Sequence, residues 1–415
     1  MRAFCSNVAV MSSKAKPKKM KAFVIPASRA RKGKTKTNDT ARRLESDIGE
    51  IHFLVKNEEK GDLRKDARVQ DLNTVINRLF VASKAIRNER RRVFLRTFAV
   101  TCLAEDCGIL EWVPNTASFR SIVSKTYNPT ESAFSTMRWG SRLTGIGDST
   151  LRQAFDACQN KYFRSGNLTG AAQMFAEMCD KTYPPIFFWW FIQNFADPHA
   201  WYDARNKFTA SAALWSAVGH VIGLGDRHSE NLLLDTVRGD CVHVDFDCIF
   251  DKGLALPKPE VVPFRLTPNM IDAFGPVGVD GIFTGSLQSA MGTLRDNRGT
   301  LLSVLEPFLN DPIIDWKRSR SQQKQSGSTK PSSNRETIEA MRSIGVIDER
   351  LRGIYNLRNP NLKKVPRTDK VLVEEEEDIA RFTTLSVEGQ VQKIIAEATS
   401  YENLVQLYIG WMPWI

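Results

Sequence analysis

The longest stretch of the chain without a charged residue is Phe208–Gly225, which runs directly into a strongly polar motif. At 18 residues it reaches the length that can cross a bilayer. Its small and polar members, among them Ser211, Gly219 and His220, favour a helix buried in a protein core instead. Only a domain with a large core can surround such a helix, so for this stretch the sequence predicts a place inside a sizeable globular fold and no membrane as partner.

Composition supports this interpretation. The 415 residues are 42% apolar and 25% charged, which is typical of globular chains and excludes wholesale disorder, a coiled coil and collagen. At roughly 150 residues per domain, the length predicts two or three domains. The net charge is +11, and residues 1–50 hold 13 Lys or Arg against 4 Asp or Glu. Such a basic segment indicates partners that carry phosphate, either a nucleotide, a nucleic acid or a membrane surface.

The seven cysteines form no CxxC pair, and their number is odd. The sequence therefore predicts neither a zinc site nor a disulfide framework, and it fits a reducing compartment. Cys241, His243 and Cys248 lie close together in the sequence. An alternating strand would not bring them into a tetrahedral arrangement, so we expect no metal ion there.

Local patterns predict alternating strands and helices. Apolar residues recur at helical spacing in Leu63–Phe80 and in Val387–Ala398, and residues 115–225 are mainly helical in pattern. Five consecutive aromatic rings at Phe187–Phe191 favour core packing over a stacking surface for nucleic acid. The β-prone runs of the first 113 residues are Ala22–Ile25, Ile51–Val55, Val93–Val100 and Gly108–Val113.

The polar motif consists of Gly225–Asn231, with the sequence GDRHSEN, followed by His243–Phe246, with the sequence HVDF. Asn231 follows Asp226 by five residues, and Asp245 follows Asn231 by fourteen. The β-prone segments Leu232–Leu234 and Cys241–Ile249 lie in this interval, with a turn at residues 235–240. A hairpin here would return Asp245 towards Asn231.

This spacing suits phosphoryl transfer, which needs one carboxylate to orient the attacking hydroxyl and oxygen ligands to hold Mg²⁺. We assign the first part to Asp226 and the second to Asn231 and Asp245. Alone, each of these residues could be a turn residue or a helix cap. His228 lies two positions after Asp226, within reach of the transferring phosphate. A loop histidine bonded to the backbone is the alternative for His228.

The motif resembles that of the phosphatidylinositol-3-kinase-related protein kinases, and among them the ATR-type checkpoint kinases in their fungal form. The order Asp-Arg-His differs from the His-Arg-Asp of ordinary protein kinases. Further stretches that resemble this family are Lys16–Lys19, Gly61–Arg68, Gly108–Val113, Val261–Thr267, Val387–Gln390 and Gly410–Trp414. The last two belong to the terminal FATC element of the family. The resemblance runs through nearly the whole chain except residues 27–50 and roughly 317–382.

The resemblance implies an ATP site as well as the metal site, with Mg²⁺ or Mn²⁺ as the ion. Lys56 would pair with the α- and β-phosphates and Asp66 would orient it, with Glu58 and Glu59 as rivals for that part. Trp112 would stack on the adenine, and the backbone of Val113 would bond its edge. Ser13 would lie on the loop that covers the phosphates. The apolar slot would be completed by Met11, Leu54, Leu233 and Val244, each of which could instead be an ordinary core residue.

The implied fold is α+β, a bilobal protein-kinase-like catalytic domain of the PI3/PI4-kinase type with a C-terminal helical FATC element. We expect a small lobe at residues 1–113, a larger lobe at 114–315, a largely disordered linker or regulatory insertion at 316–382 and FATC at 383–415. The helical scaffold that precedes the kinase in this family is absent, and the first strand could be truncated. We therefore expect a fragment of a longer protein.

The expected function is a serine/threonine protein kinase of DNA-damage checkpoint signalling in the nucleus. Residues 246–264 carry two Lys against two Asp and one Glu, a sum of −1, which favours a protein substrate over a phosphoinositide headgroup. The resemblance implies a preference for Ser or Thr followed by Gln, a regulatory subunit of the ATR-interacting type and only indirect contact with DNA. A lipid kinase and a catalytically silent scaffold stay open as alternatives.

Overall fold

The computed structural model describes residues 3–4, 8–11, 17–24, 49–57, 63–84, 86, 94–104, 107–127, 148–163, 165–309, 333–354 and 384–415. These residues fall into two compact units. The first unit lies within Met1–Asn73 and Thr97–Asn115, and the second lies within Thr74–Arg96 and Thr116–Ile415.

The first unit is built on an antiparallel sheet. Among the described residues it has six strands in the order β1-β3-β4-β6-β5, with β2 also paired to β3. The longest pairing joins β3 to β4, from Lys18 opposite Val55 to Val24 opposite Gly49. The strands are β1 Ala3–Phe4, β2 Ala9–Val10, β3 Lys18–Val24, β4 Gly49–Asn57, β5 Val100–Cys102 and β6 Cys107–Glu111.

Helix α1, Leu63–Ala82, follows the first four strands. Leu63, Leu72, Ile76 and Phe80 are almost fully buried on it, as expected for a helix with one apolar face. The predicted helix over Leu63–Phe80 is confirmed.

The second unit contains a small sheet and most of the helices. Its strands β7 Thr116–Ser118, β8 Leu232–Asp235 and β9 Cys241–His243 form an antiparallel sheet in sequence order. The helices are α2 Phe119–Tyr127, α3 Asp148–Phe163, α4 Leu168–Glu177, α5 Phe187–Asn194, α6 Pro198–Ile222, α7 Pro268–Ala273, α8 Ile282–Asp296, α9 Arg298–Leu309, α10 Ser333–Arg352, α11 Val387–Thr399 and α12 Tyr401–Leu404.

Helix α6 is the centre of the second unit. Asp197 caps its start by accepting the N–H of Ala200 at 2.8 Å, and every residue from Phe208 to Ile222 is buried. The uncharged stretch is thus a core helix, as predicted. Across the described helices, none combines the length and apolarity that crossing a membrane requires.

The aromatic residues of α5 belong to the same core. Phe187 packs edge-on against Phe119 and Phe208, with ring centroids 4.7 Å and 5.4 Å away. Phe187 and Phe191 are at most 1% exposed, so these two rings present no surface on which a nucleic-acid base could stack. The prediction of core packing is confirmed for them.

The C-terminal residues fold onto the second unit. Helix α11 packs against α8, and α12 packs against α4. The apolar stripe predicted for α11 is buried, with Val391 and Ile394 at 0% exposure. Trp414 is also buried and lies against Phe155 of α3, with ring centroids 5.1 Å apart.

The α+β fold class is confirmed, whereas two predicted strands are wrong in extent. Residues 94–99 form no strand, because Leu95 uses its N–H and C=O to bond the side chain of Asn77, at 2.7 Å and 2.8 Å. The strand predicted over Cys241–Ile249 ends at His243. Asp245 soon follows with a φ of 63°, which a continuing strand cannot accommodate.

Residues 316–382 were predicted as a largely disordered linker or regulatory insertion, and for the range as a whole this stays a prediction. Helix α10 lies within this range and packs against α9. Ile347 and Leu351 are each 1% exposed, and Asp348 forms an ion pair with Arg298. This buried apolar face, which the linker prediction overlooked, holds the helix in place. The predicted domain boundaries stay predictions.

Candidate active site

A hairpin joins the two parts of the polar motif. Strands β8 and β9 pair with Leu232 opposite His243, and the N–H of Asp235 donates to the carbonyl of Asp240 at 2.9 Å to close the turn. Gly239 lies in this turn with a φ of 86°, and a Cβ added there would lie 2.4 Å from the carbonyl oxygen of Ala204. The turn therefore requires glycine. The predicted hairpin is confirmed.

The hairpin brings residues 244–245 back to Asn231. The N–H of Val244 donates to the carbonyl of Asn231 at 3.0 Å, directly beyond the last strand pair. Asn231 in turn donates its N–H to the carbonyl of His228 at 3.0 Å and its Nδ2 to the carbonyl of Asp226 at 2.9 Å. Asp226, His228, Asn231 and Asp245 therefore belong to two adjoining loops, which we call the Asp226 loop (residues 225–231) and the Asp245 loop (residues 244–247).

Both acidic residues have left-handed backbone conformations. The φ angle is 55° at Asp226 and 63° at Asp245, a region that residues other than glycine seldom occupy. Conformations of this kind persist where the surrounding structure enforces them, and they concentrate at functional sites. Asp226 is exposed and Asp245 is half-buried, so both carboxylates can meet a ligand from solvent.

Arg227 ties the two loops together. Its guanidinium donates to the carbonyl of Gly225 at 2.9 Å, to that of Val244 at 2.8 Å and to that of Asp245. The side chain is 3% exposed, and this burial lowers the pKa of the guanidinium. Sequence reasoning gave this residue no part. The sequence did offer one signal for a role of Arg227, its position between Asp226 and His228, which were both assigned to the site.

Arg265 holds the same loop from the other side and joins it to the C-terminal residues. It donates to the carbonyls of Arg227, Trp411, Met412 and Ile415, at 3.0, 2.6, 3.0 and 2.7 Å. Burial lowers the pKa of Arg265 to about 9. The sequence gave no indication of this role, because Arg265 and these carbonyls are far apart in the chain.

His228 is half-buried, and its Nδ1 accepts the N–H of Glu230 at 3.2 Å. The alternative of a loop histidine bonded to the backbone is therefore realised through one of its two nitrogens. Burial lowers the pKa of His228, while the nearby Asp226 carboxylate raises it. With Nδ1 as an acceptor, the neutral ring carries its proton on Nε2, which remains a donor.

Asn231 and Asp245 offer the oxygen atoms that a hard cation prefers. Asn231 is 6% exposed, and the bond from its Nδ2 to Asp226 orients the amide so that Oδ1 is left as the ligand atom. Within the part of the chain that the structure describes, no group of three His, Cys, Asp or Glu side chains could hold a metal ion. Magnesium bound through phosphate oxygens, water and one or two protein ligands needs no such group, so these residues fit it.

The remaining residues predicted for the second unit lie on the hairpin. Leu233 is half-buried on β8 opposite Val242. Val244 is also half-buried and directly precedes Asp245. Its backbone makes the bonds to Asn231 and Arg227 described above, so Val244 positions the loop whatever its side chain contacts. Their roles towards ATP stay predictions.

The ATP-site residues predicted for the first unit lie on its sheet and on α1. Lys56 is half-buried on β4 opposite Gly108, and the strand continues to Asn57 where we had expected it to end before Lys56. Asp66 is 4% exposed on the first turn of α1. Ser13, Glu58 and Glu59 lie outside the described residues.

Trp112 follows β6 and extends its pairing, because its N–H donates to the carbonyl of His52 at 3.0 Å. The ammonium of Lys19 lies 3.6 Å from the centre of the Trp112 ring and therefore occupies one face of the indole. Val113 is 9% exposed. Leu54 and Met11 are half-buried, the first opposite Leu110 on β6.

Comparisons with known proteins identify the family of the chain. Residues 50–318 match the family described as Phosphatidylinositol 3- and 4-kinase, and residues 384–415 match the FATC domain. The chain is similar to Serine/threonine-protein kinase ATR of Arabidopsis thaliana, with 40% identity over 371 residues, which is 89% of this chain and 12% of that relative. It is 36% identical to Protein kinase rad3 of Schizosaccharomyces pombe over 359 residues, 86% of this chain and 13% of the relative.

The solved structure titled FAT and kinase domain of CtTel1 superimposes with a TM-score of 0.71 at 25% identity, covering 99% of this chain and 24% of that one. The chain spans 12–13% of the length of the two curated relatives. We expected a likeness to the fungal form, yet of these two relatives the plant sequence is the more similar. The resemblance to the phosphatidylinositol-3-kinase-related kinases is confirmed. The chain belongs to the Phosphatidylinositol 3- and 4-kinase family, and residues 384–415 are its FATC domain.

Proposed function

We propose that the chain is the catalytic part of a serine/threonine protein kinase, which transfers the γ-phosphate of ATP to Ser or Thr followed by Gln. The observation that carries the proposal is the hydrogen-bonded pair of loops that presents Asp226, Asn231 and Asp245 together. The curated relatives, named as serine/threonine-protein kinase and as protein kinase, support the reaction class.

Each residue has a chemical part in this proposal. Asp226 accepts a hydrogen bond from the substrate hydroxyl, orients it towards the γ-phosphorus and takes its proton. Asn231 and Asp245 would hold Mg²⁺, or Mn²⁺ in its place, and the ion would supply charge neutralisation at the triphosphate. His228 donates from Nε2 to the transferring phosphoryl group, and this donor does not depend on the ring being charged.

We propose that ATP is bound by the residues that the family resemblance implies. Lys56 binds the α- and β-phosphates with Asp66 orienting it, and Ser13 covers the phosphates. Trp112 and Val113 bind the adenine. Leu54, Leu233 and Val244 line the apolar slot.

The charges of residues 246–264 favour a protein over a lipid substrate. Lys258 donates to the side chain of Gln159 at 2.6 Å, so this ammonium already has a partner within the protein. Asp251 pairs with Arg350 at 2.8 Å. A phosphoinositide headgroup requires several cations facing the phosphates, and this segment, with its sum of −1, supplies too few.

The same proposal includes a nuclear checkpoint role with a regulatory subunit of the ATR-interacting type and only indirect contact with DNA. These features are proposed for the longer protein, as the names of the relatives suggest. A phosphoinositide kinase is the second candidate, because the matched family is described by those lipids.

The test is a phosphorylation assay of the 415-residue chain with Mg²⁺ and ATP on three substrates. We expect phosphate transfer to a Ser-Gln peptide, at least tenfold less to the matched Ser-Ala peptide, and none to phosphatidylinositol vesicles. Asp226→Ala and Asp245→Ala should each abolish transfer while leaving the circular dichroism spectrum unchanged. Turnover in either folded variant would refute the assigned roles, and transfer to the vesicles alone would establish the lipid kinase.

A further inference from the structure

The segment 246–267 folds back over the start of the Asp226 loop. The N–H of Gly225 donates to the carbonyl of Cys248 at 2.7 Å, and the N–H of Glu260 donates to the carbonyl of Gly253 at 3.0 Å. These bonds bring the Glu260 side chain to the loop. Its Oε2 accepts the backbone N–H of Asp226 at 2.8 Å.

Two glycines make room for this carboxylate. A Cβ added to Gly225 would lie 2.7 Å from Oε2 of Glu260, and one added to Gly253 would lie 2.6 Å from the same atom. Real Cβ atoms do not approach an oxygen so closely, so any larger residue at either position would displace the carboxylate. The site is therefore shaped around the contact between Glu260 and Asp226.

The contact completes the restraint of the Asp226 backbone. Its N–H is bonded to Glu260, and its carbonyl accepts Nδ2 of Asn231 at 2.9 Å. Held on both sides, the residue keeps a φ of 55° that it would otherwise rarely adopt. Because the φ and ψ angles set the direction of the Cα–Cβ bond, the two contacts also direct the exposed carboxylate.

We propose that Glu260 is a positioning residue, which fixes the backbone of Asp226 and thereby aims its carboxylate at the substrate hydroxyl. The inference rests on the proposed function, since it takes Asp226 as the group that accepts the hydroxyl proton. Glu260 itself touches neither substrate nor nucleotide in this role.

What the contact requires is an acceptor oxygen at the right distance, not a charge. Burial raises the pKa of Glu260, and the bond from Asp226 lowers it. Asp226, Arg227 and Arg265 are the charged groups that face the Glu260 carboxyl. A glutamine amide has the same length and the same acceptor oxygen, whereas aspartate is shorter by one methylene group. The two substitutions therefore separate the acceptor from the charge.

The experiment compares steady-state kinetics of the 415-residue chain and its variants on a Ser-Gln peptide. We expect Glu260→Ala to lower kcat about 30-fold with the KM for ATP unchanged, because misplacing a reacting group by about 1 Å can cost about a hundredfold. Glu260→Gln should keep kcat within about threefold of the unmodified chain, whereas Glu260→Asp should lose about as much as the alanine variant. A merely structural role would not produce this order among variants of equal melting temperature.

Glu177→Ala is the matched control, since that glutamate is 67% exposed and pairs with Lys181 on the same helical surface. If Glu260→Ala does not fold, the kcat of Glu260→Gln is compared with that of Glu260→Asp, and a higher kcat in the glutamine variant supports the inference. A normal kcat in folded Glu260→Ala, together with an inactive Asp226→Ala, would overturn the role of Glu260 but not the proposed function. The same holds if the kcat of Glu260→Gln is no higher than that of Glu260→Ala. Activity in Asp226→Ala would overturn the proposed function, and the inference with it.

Discussion

Replacing Arg265 with alanine removes four hydrogen bonds at a single buried position. The guanidinium donates hydrogen bonds to the carbonyls of Arg227, Trp411, Met412 and Ile415, at distances from 2.6 to 3.0 Å. Arg265 is 3% exposed. In the variant the carbonyls of Arg227, Trp411 and Ile415 would lose this donor, whereas the carbonyl of Met412 would keep the N–H of Ile415 at 3.0 Å. We therefore expect the second unit to lose a large part of its stability.

The magnitude follows from two opposing contributions. A hydrogen bond from a charged donor stabilises by about 1.5–3 kcal/mol, so four contribute about 9 kcal/mol. Against this stands the cost of burying the cation. The fall of the Arg265 pKa from 12.5 to about 9 corresponds to about 5 kcal/mol. The difference predicts a loss of about 4 kcal/mol in the free energy of unfolding.

Urea denaturation monitored by tryptophan fluorescence would measure this loss, because Trp411 lies against Arg265, with the guanidinium carbon 4.2 Å from the ring centre. Arg265→Lys keeps the charge but not the fork of donors, so we expect a loss of about 2 kcal/mol. Arg352→Ala is the control. That arginine is 52% exposed and pairs with Asp348, and we expect a change below about 0.5 kcal/mol. A loss under about 1 kcal/mol in Arg265→Ala would refute the reasoning.

Two further predictions concern the stability of the second unit. Gly239→Ala should lower the free energy of unfolding by about 3 kcal/mol, because its Cβ meets the carbonyl of Ala204, whereas Gly166→Ala, with a similar φ of 75° and open space around it, should lose about 1 kcal/mol. Equal losses in urea denaturation would contradict this. Burial lowers the pKa of His220 from 6.5 to about 3, so between these values the unfolded chain binds a proton that the folded chain does not. His220 should therefore contribute a fall in stability of about 1.4 kcal/mol per pH unit below 6.5, and His220→Asn should show a slope smaller by that amount in urea titrations between pH 6 and 5.

The hairpin and its flanking residues could be predicted because their relation is local. Fourteen residues separate Asn231 from Asp245, and two short β-prone runs around a turn leave few ways to connect them. Likewise, the small and polar residues of the uncharged stretch Phe208–Gly225 favoured a core helix over a membrane span. Patterns of this kind are short in sequence and repeat with the period of the element.

The supports of the Asp226 loop could not be predicted, for a physical reason. Arg227, Glu260 and Arg265 all bond to backbone atoms, and nearly every residue offers the same backbone atoms, so the identity of the bonding partner leaves no trace in the sequence. Leu95 shows that the same kind of bond can also make a sequence prediction fail. Its β-prone neighbourhood indicated a strand, yet the side chain of Asn77 takes its backbone bonds.

The bond from Arg265 to the carbonyl of Ile415 spans 150 residues of sequence. During synthesis, Arg265 leaves the ribosome long before Trp411, Met412 and Ile415 are made. Until then, the carbonyl of Arg227 is the one of its four acceptors that the guanidinium can bond. The restraint that Arg265 places on the Asp226 loop is therefore complete only after Trp411, Met412 and Ile415 have been translated. A nascent chain at this stage exposes unsatisfied polar and apolar surface, which is the condition under which chaperones bind.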